Sequence, residues 1–366
     1  MYWTRRLSFP DRMDMKKDLN KAEADIHFTS KGVLPYYRSV NILSVVVHYV
    51  EKLGINAADL LAGSGIQACD LDDPDVFVTP EQEFKVMRKI VTKMPAPKTG
   101  FFLGQQYHIG IYNKIGAAAL SSNTYLDAIK ILFQYIELTM TYFQYDLRVK
   151  NNLVFLRLKE LIDLRELRTF ICEREISAVY RLSCDLLQSP MRLNEIWLAF
   201  PKPAYASLYT DTFQCPIHFN AHEHMVIFDS KYLFAQMPMA NPLMKNTYEK
   251  ECRQLCVRLQ VQESATDQVR HNIFFGPEGL PSLTHLARGM SITPRTLRRR
   301  LTEEGTSFKA LSAEILKEKA IDMIQTTSWP MEKIVAELGY CNLPNFYRAF
   351  RNWTGQKPSY YRKKNN

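Results

Sequence analysis

The chain has 366 residues, of which 46% are hydrophobic and 23% are charged. This length suggests two domains, and this composition excludes a collagen, a disordered tail and a small disulfide scaffold. The formal net charge of +9 is unevenly distributed, because residues 281–366 hold 15 Lys and Arg against 7 Asp and Glu. The basic end therefore carries a net +8 and the other 280 residues a net +1. This layout indicates a near-neutral body joined to a segment that binds a polyanion.

The seven cysteines are scattered, and most lie in apolar runs, which indicates buried thiols rather than disulfides. Cys252 and Cys256 could share one helix face, but no further ligand pair lies at metal-binding spacing. His218, His222 and His224 have no supporting carboxylate or cysteine pattern, so we expect no metal and no cofactor. No segment is apolar over the ~18 residues that span a bilayer, and the first 30 residues lack a signal peptide. We therefore expect a cytoplasmic chain without membrane contact.

Hydrophobic periodicity organises the first part of the chain. Residues 1–36 are polar and aperiodic, and they predict a poorly ordered leader. Helical spacing follows from residue 37 to about residue 140. Two strands are then predicted at 145–150 and 153–158, joined at Asn151-Asn152, which is a hairpin signal because Asn tolerates positive φ.

The rest of this domain mixes one long helix with short strands. The helix is predicted over 164–187, and the strands over 193–200, 217–220 and 226–229. A proline-rich helical segment separates the first two of these strands. The pattern predicts an α+β domain over residues 37–235, with helices packed on a small antiparallel sheet.

A connector helix is predicted within residues 236–264. An apolar stripe with the 4-3-4 spacing of a coiled-coil seam runs along it, through Tyr248, Cys252, Leu255 and Leu259. Such a stripe fits a homodimer contact, and it fits equally well packing against its own domain. Two heptads do not decide between these interpretations.

The basic end, residues 265–366, is predicted to be all helical and contains two similar units. In the first unit, a short helix over 283–290 and a turn precede Thr293, which caps a second helix. Leu297 and Leu301 lie one turn apart and must face inward. The outward surface of this second helix is then basic and contains Arg295, Arg298, Arg299 and Arg300.

The second unit repeats the arrangement. A short helix over 331–338 is ended by Gly339, and a second helix runs over 342–353. Its predicted outward residues are Leu343, Pro344, Asn345, Tyr347 and Arg348. A short helix, a tight turn and a second helix with exposed polar groups form a helix-turn-helix. We call the second helix of each unit its reading helix.

A continuous helix over 307–325 is predicted to join the two units. Its 19 residues span ~28 Å, which would hold the reading helices about one turn of DNA, roughly 34 Å, apart. Arginine clusters neutralise phosphates and form bidentate contacts with guanine. An isolated run of arginines is usually a solvated helix face, but its repetition within a second unit favours double-stranded DNA as the partner.

The basic end, over about residues 265–366, also resembles the AraC/XylS family of bacterial transcription factors. The resemblance is carried by Ile334–Tyr340, Asn345–Arg351, Trp353–Gly355, Pro358 and Tyr361-Arg362. Weaker similarity in 116–128 and 145–228 points to the branch with a non-cupin, arabinose-binding-type sensor domain, which includes ornithine-utilisation regulators. The resemblance implies a transcriptional regulator, more often an activator, with a small-molecule effector and RNA polymerase as partners.

Positions of the DNA-facing residues follow from this resemblance. It implies base contacts from the first reading helix through Arg295, Arg298 and Arg299. It implies that the second faces bases through Leu343, Pro344 and Asn345, with Arg348 nearer phosphate. Thr293, Thr296, Asn342 and Tyr347 complete the expected set. Because Leu343 and Pro344 offer no side-chain hydrogen bonds, we expect the second helix to specify weakly, through thymine methyls or DNA shape.

Three positions depart from the family pattern. Ser291 occupies the first turn where Gly is frequent, which costs about 1 kcal/mol if its φ is positive. Val335 replaces a small Ala in the second short helix, so the reading helix must shift or repack. Leu316 occupies the linker helix where Arg is common, which removes a polar contact with a reading helix.

In the sensor domain, the candidate effector-binding residues are Tyr107, His108, Tyr112, Tyr142, Phe143 and Tyr145. Each also has an ordinary interpretation as a core or rim residue. An enzyme fused to the DNA-binding domain is disfavoured, because the chain has no phosphate loop or zincin motif, and 62–66 lacks the strand that a serine nucleophile elbow needs. An architectural DNA-binding protein whose first domain only dimerises is also disfavoured, since a near-neutral domain adds nothing to phosphate neutralisation.

Overall fold

The structure, a computed structural model, describes residues 26–32, 34, 36–73, 75–94, 98–262, 264–275, 280–327 and 329–363. The helices are α1 (Val40–Lys52), α2 (Ala57–Leu61), α3 (Pro80–Lys93), α4 (Thr99–Gly104), α5 (Asn113–Leu120), α6 (Tyr125–Gln134), α7 (Arg168–Leu187), α8 (Ser207–Phe213), α9 (Pro242–Gln262), α10 (Ala265–Phe275), α11 (Leu283–Gly289), α12 (Pro294–Glu303), α13 (Phe308–Thr326), α14 (Met331–Glu337), α15 (Leu343–Thr354) and α16 (Pro358–Lys363). The strands are β1 (His27–Thr29), β2 (Arg38–Ser39), β3 (Phe77–Val78), β4 (Phe143–Lys150), β5 (Leu153–Glu160), β6 (Leu193–Trp197), β7 (Ile217–His218) and β8 (His224–Asp229).

These elements form two compact units. The first contains the described residues up to 34 together with 98–161 and 168–256, and the second contains those of 35–97, 162–167 and 257–366. No helix among the described residues is long and apolar enough to cross a bilayer.

The first unit is built on a six-stranded sheet in the order β1-β4-β5-β8-β6-β7. All neighbouring strands are antiparallel except β6 and β7, which are parallel. Apolar side chains alternate along β4 and β5, so one face of the sheet supplies core residues while the other is partly exposed. Helices on a mainly antiparallel sheet, followed by an all-helical region, confirm the predicted fold class.

The predicted hairpin is confirmed at the centre of this sheet. Strands β4 and β5 are in register from Phe143 opposite Glu160 to Lys150 opposite Leu153. Asn151 and Asn152 form the turn with φ angles of 52° and 61°. Positive φ at both central residues gives the turn the twist that the flanking strands require.

The predicted leader, residues 1–36, lies mainly outside the described residues, and its described part contains a strand. His27–Thr29 form the edge strand β1, in which Phe28 pairs with Leu147 and Thr29 with Asp146. The Asp146 carboxylate accepts hydrogen bonds from the His27 ring, at 2.6 Å, and from the Thr29 hydroxyl, at 3.0 Å. Three residues are too few to show a strand period, so this pairing could not be predicted from the local pattern.

The second unit joins α1–α3 to the C-terminal helices, a grouping that differs from the predicted boundary at residue 235. Phe84 of α3 contacts the rings of Phe274 and Phe275 at the end of α10, with centroid distances of 6.5 and 5.6 Å. Arg38 and Glu83 form a fully buried ion pair of 2.9 Å in the same region. The ring contacts link residues that are about 190 positions apart in the chain, which a local pattern does not reveal.

His271 of α10 is a second buried titratable group in this region. Its ring lies 5.1 Å from the Phe275 ring and 6.2 Å from the Tyr36 ring. Burial, together with repulsion from Arg38, lowers the pKa of His271 to about 4. The unfolded chain binds this proton near pH 6.5, so the stability from the neutral ring is complete above pH 6.5 and falls as the pH drops toward 4.

We therefore expect His271→Phe to reduce the acid sensitivity of the second unit. The loss of unfolding free energy between pH 7 and pH 4.5, measured by urea denaturation of the full chain, should be smaller by about 2 kcal/mol. Substituting the exposed His48 with Gln provides the control and should leave the acid sensitivity unchanged. Equal pH profiles for wild type and His271→Phe would contradict the assignment.

Candidate functional site

The two predicted helix-turn-helix units have separate cores that share the linker helix α13. The first core includes Leu311 and Ile315 of α13 together with Leu297 and Leu301 of the first reading helix, α12. The second core begins at the next residue of α13, Leu316. It continues through Ala320, Met323 and Ile324 to Phe346 and Phe350 of the second reading helix, α15. The predicted 19-residue linker is confirmed, displaced by one residue.

The first reading helix begins as predicted. The Thr293 hydroxyl accepts a hydrogen bond from the Thr296 backbone N–H at 3.1 Å, and the two hydroxyls lie 2.9 Å apart. Pro294 occupies the first helical position, where no backbone donor is needed. Leu297 and Leu301 are fully buried, so the helix is fixed by one apolar face.

The opposite face of α12 exposes its arginines. Arg295, Arg298, Arg299 and Arg300 are all exposed. Arg299 forms an exposed ion pair of 3.2 Å with Glu303. Within the described part of the chain, Arg295 and Arg298 have no acidic partner in ion-pair contact. An arginine without a counter-ion gives up no protein contact when it approaches a phosphate or a base.

The second reading helix has a similar cap. The Asn342 side chain accepts a hydrogen bond from the Asn345 N–H at 3.0 Å, and Gly355 ends the helix with a φ of 71°. Pro344, Asn345, Tyr347 and Arg348 are exposed. Leu343 is only partly exposed, because it packs against the second core. Asn342 is occupied by capping, so its side-chain oxygen is not free to serve as a base acceptor.

The three departures from the family pattern have distinct structural outcomes. Ser291 has a φ of 54°, so it lies in the left-handed region that favours Gly. Val335 is buried in the second core and is accommodated there. Leu316 is also buried in that core, so an apolar contact replaces the polar one that Arg would provide.

A cavity in the first unit is a candidate effector site. It encloses about 90 Å³ between α6, α7 and the sheet. Two of the six predicted effector-binding residues, Tyr112 and Tyr145, line it, and so does the buried Glu175. The Tyr145 hydroxyl donates to Glu175, and the Thr141 hydroxyl donates to the same carboxylate oxygen at 2.6 Å.

The other four predicted residues lie away from the cavity. Tyr107 and Tyr142 are buried and pack against the Arg174 guanidinium, which lies 5.9 and 5.8 Å from their ring centroids. Phe143 packs against His224, and His108 is exposed beside Asp185. Aromatic composition alone did not distinguish a ring that lines a cavity from one that supports a buried charge.

Sequence reasoning missed the central polar residue of the cavity. Glu175 belongs to a run of three charged residues, Glu173-Arg174-Glu175, in the N-terminal half of α7, and all three are buried. Charged residues are almost never buried without partners. The sequence signal for this buried cluster was therefore the run of three charged residues between apolar stretches of one helix. Burial also raises the pKa of Glu173 to about 7, and the Tyr205 hydroxyl donates to it at 2.6 Å.

Comparison with known proteins identifies the family. Residues 54–237 match the arabinose-binding domain of AraC transcription regulators, N-terminal, and residues 286–364 match a helix-turn-helix domain. The chain is 30% identical over 329 residues to the Ornithine utilization regulator of Pseudomonas aeruginosa, covering 87% of this chain and 96% of that relative. The chain belongs to the AraC family of transcription regulators.

Two further transcriptional regulators are similar to this chain. The HTH-type transcriptional regulator VqsM of Pseudomonas aeruginosa is 27% identical over 310 residues, covering 80% of this chain and 94% of VqsM. The crystal structure of the regulator CdpR from the same organism aligns with a TM-score of 0.42 at 23% identity, over 76% of this chain and 90% of CdpR. Family membership confirms the predicted resemblance and the predicted function as a DNA-binding transcription regulator. It does not favour the architectural or the enzyme alternative.

One side-chain cluster of this AraC-family chain was not expected from its sequence. The Nε2 atom of His224 lies 3.3 Å from the Cys172 sulfur and 3.5 Å from a Glu160 oxygen. These residue types are metal ligands, but Nδ1 of the same ring accepts a hydrogen bond from the Ala199 N–H at 3.2 Å. A metal-bound imidazole instead donates from its second nitrogen. The geometry therefore favours a neutral, hydrogen-bonded core histidine that carries its proton on Nε2.

The connector stripe is largely covered by its own chain. Cys252 and Leu259 are buried, and Tyr248 and Leu255 are half-buried. The Tyr135 hydroxyl also donates to the backbone carbonyl of Glu249, at 3.4 Å. These contacts favour packing on the same chain over a coiled-coil seam, so the stripe gives no support to the homodimer prediction.

The turn of the first helix-turn-helix, at Ser291, gives a stability prediction. We expect Ser291→Gly to raise the free energy of unfolding by about 0.5–1 kcal/mol, because it removes the steric cost of a left-handed Ser, offset in part by the greater freedom of Gly in the unfolded chain. Urea denaturation measures the change. The matched control is Gly339→Ala in the turn of the second helix-turn-helix, where φ is 78°. This variant should lose stability. A Ser291→Gly protein less stable than wild type would contradict the interpretation.

Proposed function

We propose that this regulator binds two successive major-groove segments on one side of a promoter, with α12 in one segment and α15 in the next. The observation that supports this proposal is the division of α13 between the two cores, which connects both reading helices to one continuous rod. A helix of 19 residues is ~28 Å long, close to the rise of one DNA turn.

The two reading helices are proposed to contribute unequally. Arg295, Arg298 and Arg299 on α12 supply charge and bidentate donors, which suit guanine O6 and N7. Of the three residues expected to face bases from α15, Asn345 has a side chain that can hydrogen-bond, while Pro344 and the exposed part of Leu343 offer only apolar contact. We therefore assign most of the sequence specificity to α12 and assign α15 mainly to positioning, with Arg348 nearer phosphate.

We further propose that a small-molecule effector binds in the cavity of the first unit and changes DNA affinity. The support is the enclosed space lined by Tyr112 and Tyr145, within the region that matches the arabinose-binding family. The description of the matching family names arabinose, and the name of one relative names ornithine; both ligand names belong to those proteins. Activation of transcription and RNA polymerase as a partner belong to the same proposal and are supported by family membership. The homodimer that the sequence pattern predicts stays a prediction.

The first expected outcome concerns the footprint on DNA. Hydroxyl-radical footprinting on a promoter fragment selected from a random pool should show two protected elements centred about 10 base pairs apart on one face of the duplex. A protein in which α15 carries Asn345→Ala and Arg348→Ala should lose protection of one element and keep the other. Protection of a single short element by wild-type protein would contradict DNA binding by both helix-turn-helix units.

The second outcome concerns base recognition by Arg298. Arg298→Ala should weaken binding to the selected site by about 1–3 kcal/mol and relax the preference at one base pair. Arg253→Ala provides the control, because Arg253 is an exposed arginine of the first unit and should leave binding unchanged. A small and equal loss on all sequences would instead mean that Arg298 contacts phosphate.

A further inference from the structure

The cavity of the first unit has a lining that restricts the chemistry of its ligand. Fourteen of its lining residues are aliphatic side chains, Met or Phe. Most of its hydroxyl groups are already satisfied: Tyr125 donates to Ser183 at 2.7 Å, and Ser183 donates to a backbone carbonyl at 2.7 Å. The space of about 90 Å³ limits the ligand to one small ring or a short branched chain. A ligand therefore has a compact apolar body.

The charge at the polar end of the cavity is balanced within the protein. Glu175 lies 3.4 Å from the guanidinium of Arg174, and both residues are buried. A charged ligand would lose its hydration without gaining an unpaired counter-ion, which is costly in an apolar site. The cavity therefore disfavours ammonium, carboxylate and zwitterionic ligands.

One hydrogen-bonding position at this end remains open. Within the described residues, the Tyr112 hydroxyl has no hydrogen-bond partner although it lines the cavity. Burial and the nearby Glu175 raise the pKa of Tyr112 well above its ordinary value, so the hydroxyl keeps its proton. Both hydroxyl donors to Glu175 use the oxygen Oε1, and the Arg174 guanidinium donates to Oε2 at 3.4 Å, so Oε2 keeps a lone pair for one further donor. One ligand hydroxyl could accept from Tyr112 and donate to Glu175.

We propose that the cavity binds an uncharged molecule consisting of one small ring or short branched chain with a single hydroxyl group. This inference rests on the proposed effector function of the first unit and names its ligand class. A sugar brings several hydroxyls, and the cavity offers partners for about one, so the remaining hydroxyls would be buried without hydrogen bonds. An amino acid brings two or more charges.

The test uses three molecules of nearly equal size with the full-length protein. Cyclopentanol carries the hydroxyl, cyclopentylammonium carries a charge, and methylcyclopentane carries neither. Titration calorimetry should detect cyclopentanol binding, with the other two about tenfold weaker or worse, as expected for one lost hydrogen bond or one buried charge. L-arabinose and L-ornithine should not bind at millimolar concentration. Absence of cyclopentanol binding, or tighter binding of any of the other four molecules, would overturn the proposal.

Variants locate the binding in the cavity. Tyr112→Phe should weaken cyclopentanol about tenfold and leave methylcyclopentane unchanged. Ala178→Val, which adds two methyl groups at the lining, should weaken both. Tyr205→Phe removes a tyrosine–carboxylate contact outside the cavity lining and should leave cyclopentanol binding unchanged. Unaltered cyclopentanol affinity in both cavity variants would overturn the assignment of the site.

Failure of this proposal can be separated from failure of the proposed function. Footprinting on the same preparation reports DNA binding independently of the calorimetry. If cyclopentanol binds and DNA affinity does not change, the ligand class stands and the effector role is wrong. If the two-element footprint is present and cyclopentanol does not bind, the regulator stands and the ligand class is wrong.

Discussion

The linker helix α13 packs its apolar residues into two separate cores, and the arrangement of the DNA-binding unit depends on this division. The change occurs between Ile315 and Leu316, which are adjacent in sequence and about 100° apart around the helix. Each helix-turn-helix unit completes its core with residues of α13. Each uses about half of α13, so a kink or a slip in this helix would alter both cores at once.

A third face of α13 is acidic and is paired with basic residues of the same unit. Glu318 lies 3.2 Å from Lys85 of α3, Asp322 pairs with Arg88 of α3, and Glu314 lies 2.6 Å from Arg270 of α10. The four-residue spacing of the three acids places them in one row along the helix. The basic residues of α3 and α10 neutralise this acidic row. Helices α1–α3 therefore belong to the same compact unit as the two helix-turn-helix units.

Local signals in the sequence were sufficient for the helix-turn-helix units, because caps, turns and apolar spacing all lie within about 25 residues of one another. Thr293, Gly339 and the hairpin at Asn151-Asn152 were predicted for this reason. The packing of Phe84 on α10 was not predictable in the same way, since it depends on residues far apart in the chain. Glu175 was missed because its two hydroxyl partners come from β4 and the segment before it, and only the folded sheet brings them together.

Two physical classes of arginine contrast in this chain. Arg38 and Arg174 are fully buried beside Glu83 and Glu175, so each guanidinium is neutralised where it lies. Removing one partner of such a pair leaves a buried charge, which makes these arginines structural. On α12, by contrast, the Arg299–Glu303 pair is exposed and contributes little to stability. Because folding does not require the exposed arginines, their positive charge remains available to a polyanion, and the basic end can bind DNA without weakening its own fold.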